Sequence, residues 1–216
     1  MERPTERLEL IAEQARATLG AKDAAREQGL RMSREALRHS TDAIRAVHRG
    51  EYADARERLA KARALFVEIY QTLEQHPELL HAGFVYNAEK EYVEGCATLG
   101  LIAENSLPSP EELDVGYAAY LNGLGEAVGE LRRHILDILR KGEVSRCEEL
   151  LGAMDDIYSI LVTMDFPDAM TQGLRRTTDA VRGILERTRG DITLATRQSD
   201  LAQRLASVER RLGTQS

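Results

Sequence analysis

The sequence predicts an all-α protein, a bundle of about seven helices, and three observations carry that prediction. Ala, Leu, Glu and Arg dominate a chain in which aromatic residues make up 5%, Trp is absent and prolines number five; this is the composition of long helices rather than of sheets. Apolar residues recur at three- and four-residue intervals over long stretches, the period of a helix with one buried face. The interruptions fall at Pro and Gly, where helices stop. No Pro-, Gly- or Ser-rich stretch divides the 216 residues, so a single domain over 1–216 with a sizeable core is expected.

Each element has its own warrant. Helical periodicity runs from Thr5 to about Val47, and Gly50 supplies the stop after His48 and Arg49. A second helix covers about 52–74, with Leu59, Ala62, Phe66 and Ile69 on its apolar face, and the His76-Pro77 step ends it. Pro77 suits the first turn of a third helix, expected to reach Glu104. Residues 105–110 read as a loop in which Ser109 caps, and Pro110 opens, a fourth helix running to about Lys141 and closed by Gly142. A fifth helix is expected from Val144 to Thr163, ended by Asp165-Phe-Pro-Asp168. Two more, from about Pro167 to Arg187 and from Ile192 to Leu212, are expected to separate at Gly190-Asp191, with Asp191 capping the last.

The net charge is −7, but its distribution says more than its sum. Residues 64–131 hold twelve acidic side chains and one basic one, Lys90, between flanks that are mildly basic. Of 29 basic residues 25 are arginine, which suits bidentate contacts to phosphate and is equally what a GC-rich genome encodes. Cys96 and Cys147 are too few for a disulfide framework and lack metal-ligand spacing, so they read as small core residues. The first ten residues show no apolar leader, and no stretch approaches the ~20 apolar residues of a bilayer span; a cytoplasmic protein with no membrane partner is expected.

The third helix poses a chemical question. Phe84, Ala88, Gly95, Leu99 and Ile102 form one helical stripe, and Glu91 fills its missing position. A carboxylate on a buried seam is unfavourable unless something pairs with it. Glu94, three residues on, projects from a neighbouring point of the same helix. The fourth helix carries a second pair, Glu126 and Glu130, four apart, set among Gly123, Gly125 and Gly129. Each glycine weakens a helix interior by ~1 kcal/mol relative to alanine, so something is expected to approach this helix closely. Two helices presenting paired carboxylates could form an all-oxygen site for magnesium, manganese or calcium. Spacing alone leaves a second reading open, with Glu91 facing solvent or an arginine and the glycines serving helix packing.

At this point the chain resembles the translin/TRAX family, all-helical nucleic-acid-binding proteins whose TRAX branch supplies a nuclease. The matching segments are Glu91-Tyr-Val-Glu94, Tyr120-Leu-Asn-Gly-Leu-Gly-Glu-Ala-Val-Gly-Glu-Leu-Arg-Arg133 and the turn over 142–146, with archaeal-type stretches over 166–176 and 181–190. The resemblance implies a translin-like fold and a Mg2+-dependent endoribonuclease acting on single-stranded RNA, with Mn2+ as a substitute ion. It implies Glu91, Glu94 and Glu126 as catalytic residues, and these three with Glu130 as metal ligands. Glu126 stands where the family usually has aspartate, a departure of one methylene. Lys90, Arg132 and Arg133 are the expected nucleic-acid contacts; Arg133 matches a shared arginine that touches RNA or fixes a carboxylate. Single-stranded DNA is a further partner, and a closed homo-oligomer, a hexamer or octamer, is implied.

Three rivals compete with this reading. A translin-like protein could hold single strands without cutting them, and a purely structural scaffold would need the glycine-flanked carboxylates to be incidental. A ferritin-like di-metal bundle expects two Glu-x-x-His motifs, of which the chain has one, Glu78-Leu-Leu-His81, at a helix start. The other histidines, His39, His48, His76 and His134, show no ligand spacing and read as surface or helix-end residues.

Overall fold

Helical periodicity gives nine helices among the residues described by the computed structural model, 5, 7–142 and 145–213, and no strand occurs among them. They are α1 (Leu8–His48), α2 (Tyr52–Leu73), α3 (Pro77–Leu80), α4 (Gly83–Leu99), α5 (Pro110–Leu113), α6 (Tyr117–Leu139), α7 (Ser145–Leu161), α8 (Asp168–Thr171) and α9 (Leu174–Gly213). Helices α1 and α2 form a hairpin that packs against α4; α6 lies on α4, and α7 and α9 pack on α6 and on each other. One core runs through them all, from Met32 on α1 through Ile69, Val93, Leu131 and Met154 to Ile192 on α9. Each large side chain buried there contributes roughly 1.5–3 kcal/mol. No helix among the described residues is long and apolar enough to cross a membrane.

The all-α expectation holds, but four elements differ from the sequence reading. One is the helix expected from about Pro167, which Gln172 at φ 52° and Gly173 at φ 85° split into α8 and α9. First among the other three, the expected third helix is interrupted: His81 and Ala82 leave helical geometry, Ala82 at φ −72°, ψ 146°, so α3 is a single turn and α4 starts afresh at Gly83. At its far end α4 widens into a π-helical turn, Gly100–Glu104, closed by Asn105 in the left-handed region at φ 49°. The returning loop explains the glycine there, since a Cβ on Gly100 would lie 2.2 Å from the Ser106 carbonyl oxygen. Arg146 donates to the Ile102 carbonyl of that turn. Second, Asp114 at φ 57° separates α5 from α6, although Ser109 and Glu112 do form the expected N-terminal cap, as a reciprocal capping box.

Third, the expected break at Gly190-Asp191 is absent, and α9 is one 40-residue helix. Burial of Leu185, Thr188 and Ile192 on either side of the glycine keeps the helix going, and tertiary packing overrides a propensity penalty of ~1 kcal/mol. Asp191 does not cap; its carboxylate pairs with Arg132 on α6 at 2.8 Å. Glu143 and Val144, at the expected start of the fifth helix and within the 142–146 turn, lie outside the described residues.

Both long helices extend past the core. On α1 full burial begins only at Gly29, leaving Leu8, Ile11 and Leu19 exposed, and beyond Ile192 on α9 the residues Leu194, Leu201, Leu205 and Val208 are exposed on one stripe.

Candidate metal centre

The contact between α4 and α6 positions the acidic residues. A Cβ on Gly123 would lie 2.7 Å from both the Lys90 carbonyl oxygen and the Val93 Cβ, so only glycine lets the two helices meet this closely. Gly125 plays the same part against α9, where a Cβ would lie 2.3 Å from Thr177 Cγ2. Gly129 differs, having open space around it. The close approach inferred from sequence is therefore real at two of the three glycines.

With the helices so pressed, Glu91 and Glu94 of α4 and Glu126 of α6 each bring one carboxylate oxygen to within 4.8 Å of the others. All three are half-buried, and each has a different environment. Glu91 accepts a hydrogen bond from the Thr41 hydroxyl of α1 at 2.7 Å. Glu126 receives the Lys90 ammonium. Glu94 has no hydrogen bond among the described residues, and burial, followed by the charges of Glu91, Glu126 and Glu130, pushes its carboxyl up to about 8, with Lys90 opposing. Three half-buried carboxylates around one point repel one another, which favours a proton or a cation there. The donor set is all oxygen, without thiol or imidazole, which suits a hard divalent cation such as magnesium or manganese.

Glu130, one turn further along α6, stands outside this group. It is bonded to His48 and lies 3.6 Å from Arg133. The His48 hydrogen bond, offset by burial and reinforced by the positive charges of His48 and Arg133, holds its carboxyl below the ordinary range. Its charge nevertheless reaches Glu94. His48 is the last residue of α1, as a helix-end reading expects, yet it is no surface residue: its side chain is 5% exposed and its ring lies 6.4 Å from that of His134. The Glu78-x-x-His81 motif takes no part, since both residues are exposed and Glu78 pairs with Lys22 at 2.8 Å.

The expected nucleic-acid contacts are placed unequally. Lys90 points inward at Glu126. Arg132 is engaged twice by α9, with Asp191 at 2.8 Å and with the Thr188 hydroxyl at 3.0 Å, and so ties two helices together. Arg133, 57% exposed, faces solvent beside Glu130. Sequence reasoning passed over Arg176, which is exposed on α9 and lines a cleft of about 460 Å³ together with Glu94, Gly125, Glu126, Thr177, Ala180 and Ile184. Among the described residues it has no ion-pair partner. It also passed over Thr41, His48 and Tyr86, whose buried hydroxyl has no partner among the described residues and lies within reach of the Glu126 charge. Only the Arg175-Arg176 pair, within a segment already matched to the family, offered a signal.

No protein-family model matches the chain. It is 30% identical over 192 residues to an uncharacterized protein of Methanocaldococcus jannaschii, covering 88% of this chain and 85% of that relative. A solved structure of AfC3PO in complex with duplex RNA is 36% identical, superposes with a TM-score of 0.77 and matches over 86% of this chain and 96% of that one. AfC3PO solved separately gives 35% identity at the same TM-score. Apo-NeC3PO is 25% identical with a TM-score of 0.71, over 90% of this chain and 99% of that one.

Proposed function

The chain belongs to the translin/TRAX family, and we propose that within it this protein is a TRAX-type, metal-dependent endoribonuclease acting on single-stranded RNA. The observation that carries the reading is the meeting of Glu91, Glu94 and Glu126, from two helices, at one point that lies beside a cleft rimmed by arginine. Magnesium, or manganese in its place, is the cation that this all-oxygen set suits; held there, it supplies charge neutralisation for a phosphate and lowers the pKa of water.

The protein's own residues do the rest. Thr41 keeps the Glu91 carboxylate aimed at the shared point. Glu94, whose carboxyl is raised by burial and its acidic neighbours, would release its proton when a cation binds at the point. Glu130, bonded to His48 and beside Arg133, adds its negative charge one turn away rather than an oxygen to the point. Hydrolysis adds the oxygen of water to phosphorus, breaks the bond from phosphorus to the next nucleotide's oxygen, and leaves the proton on that departing oxygen. An acidic centre repels RNA, so arginines must draw in the backbone. Arg176 and Arg133 are exposed near the acids and suit that task.

The AfC3PO relative was solved with duplex RNA, which makes duplex the natural comparison for the preference proposed here. We propose assembly into a closed homo-oligomer, a hexamer or octamer, with the RNA site inside. The exposed stripes on α1 and α9 support it, since unpartnered apolar faces call for burial.

One observation favours a second reading, binding without cleavage: the Lys90 ammonium already neutralises Glu126. Cleavage of labelled single-stranded RNA in magnesium and in chelator separates the two. Magnesium-dependent cutting supports the nuclease, and binding without cutting in either condition supports the second reading.

A further inference from the structure

On the metal-site reading above, we propose that Lys90 is a built-in competitor for the divalent cation, so that its ammonium must leave Glu126 before the cation can take that carboxylate. Lys90 immediately precedes Glu91 and lies one turn before Glu94 on α4, yet its side chain turns across the helix contact to reach Glu126 on α6. The backbone at Lys90 is where the two helices are pinched together over Gly123. The ammonium is thereby kept largely from solvent, its side chain being 23% exposed.

Among the described residues no other cation is paired with the three acids; Arg176 on α9 lines the same cleft but pairs with none of them. Lys90 is the one basic residue among twelve acidic ones between positions 64 and 131. Arg133 and His48 are directed at Glu130, and Arg132 at Asp191. One ammonium neutralises one carboxylate and leaves the repulsion among Glu91, Glu94 and Glu126 incompletely relieved. A divalent cation can engage all three at once, so it displaces the lysine, but with an affinity reduced by the ion pair that it breaks. Lys90 therefore sets the metal concentration at which the site fills. The opposite role, a lysine that aims Glu126 at the metal, makes the reverse prediction, because its removal would then weaken binding.

The test is calorimetric titration of Mn2+ into the full chain, in wild type, Lys90→Met and Lys90→Gln, with the Glu91→Ala/Glu94→Ala double variant defining the site and circular dichroism confirming the helical fold of each. The expected result is Mn2+ binding roughly threefold tighter or more in both lysine variants, the scale of losing one partly exposed ion pair. Wild-type binding that depends on Glu91 and Glu94, together with equal or weaker binding in both lysine variants, overturns the role of Lys90 and leaves the metal site standing. Absence of binding in wild type and in both lysine variants overturns both.

Discussion

Thr41 on α1 donates its hydroxyl proton to the Glu91 carboxylate on α4 across fifty residues of sequence, at 2.7 Å. This contact joins the first helix to the acid cluster and fixes which way one of its three carboxylates points. Thr41→Val keeps the shape and removes the donor. We expect Mn2+ affinity to fall about tenfold, the usual scale for losing a group that orients a ligand, with little change in thermal midpoint. Unchanged affinity would show that Glu91 needs no such support.

Gly123 and Gly129 give opposite expectations on the same helix. A methyl at 123 meets the Lys90 carbonyl and Val93 at 2.7 Å, so Gly123→Ala should destabilise by about 1–3 kcal/mol in urea unfolding. Gly129 has nothing within 4 Å, so Gly129→Ala should be neutral or stabilise by up to ~1 kcal/mol. Equal effects at the two positions would mean that α4 and α6 are not in close contact.

These glycines also show how far the site was legible in the sequence. Glu91 with Glu94, and Glu126 with Glu130, were visible because partners three or four apart on a helix must share a face, and the clustered glycines pointed to a close neighbour. Nothing local said that Glu130 would turn to His48, or that Thr41 would reach Glu91, since those contacts join residues 82 and 50 apart. The break expected at Gly190-Asp191 failed for a related reason. Local propensity marks it, but burial of Thr188 and Ile192, with Arg132 holding Asp191, decides it. The helix class was legible throughout; long-range partners of polar side chains were not.

The raised carboxyl of Glu94 has a defined consequence for pH dependence. Below its ordinary value near 4.5 it is protonated in both folded and unfolded chains, whereas between there and about 8 only the folded protein keeps the proton. Its contribution to stability is therefore lost as pH rises through that window. In chelator, the wild-type thermal midpoint should fall more than that of Glu94→Gln between pH ~5.5 and ~8.5. Parallel curves for the two proteins would remove the raised carboxyl from the picture.

Assembly and strand preference can be read together. Light scattering should give a mass several times that of the 24.1 kDa chain. Unpaired RNA should bind more tightly than duplex, and its affinity should weaken as salt rises, because arginine contacts to phosphate release counterions. A monomer, or equal affinity for both RNAs, would contradict an enclosed site.

The most direct measurement is cleavage of a labelled single-stranded RNA by wild type, Glu91→Ala, Glu94→Ala and Glu126→Asp, each with magnesium and with chelator. We expect wild type to cut only with magnesium, both alanine variants to lose cutting while remaining helical, and Glu126→Asp to retain it. Undiminished cleavage by Glu91→Ala and Glu94→Ala, or cleavage by wild type in chelator, would contradict a metal centre built from these carboxylates.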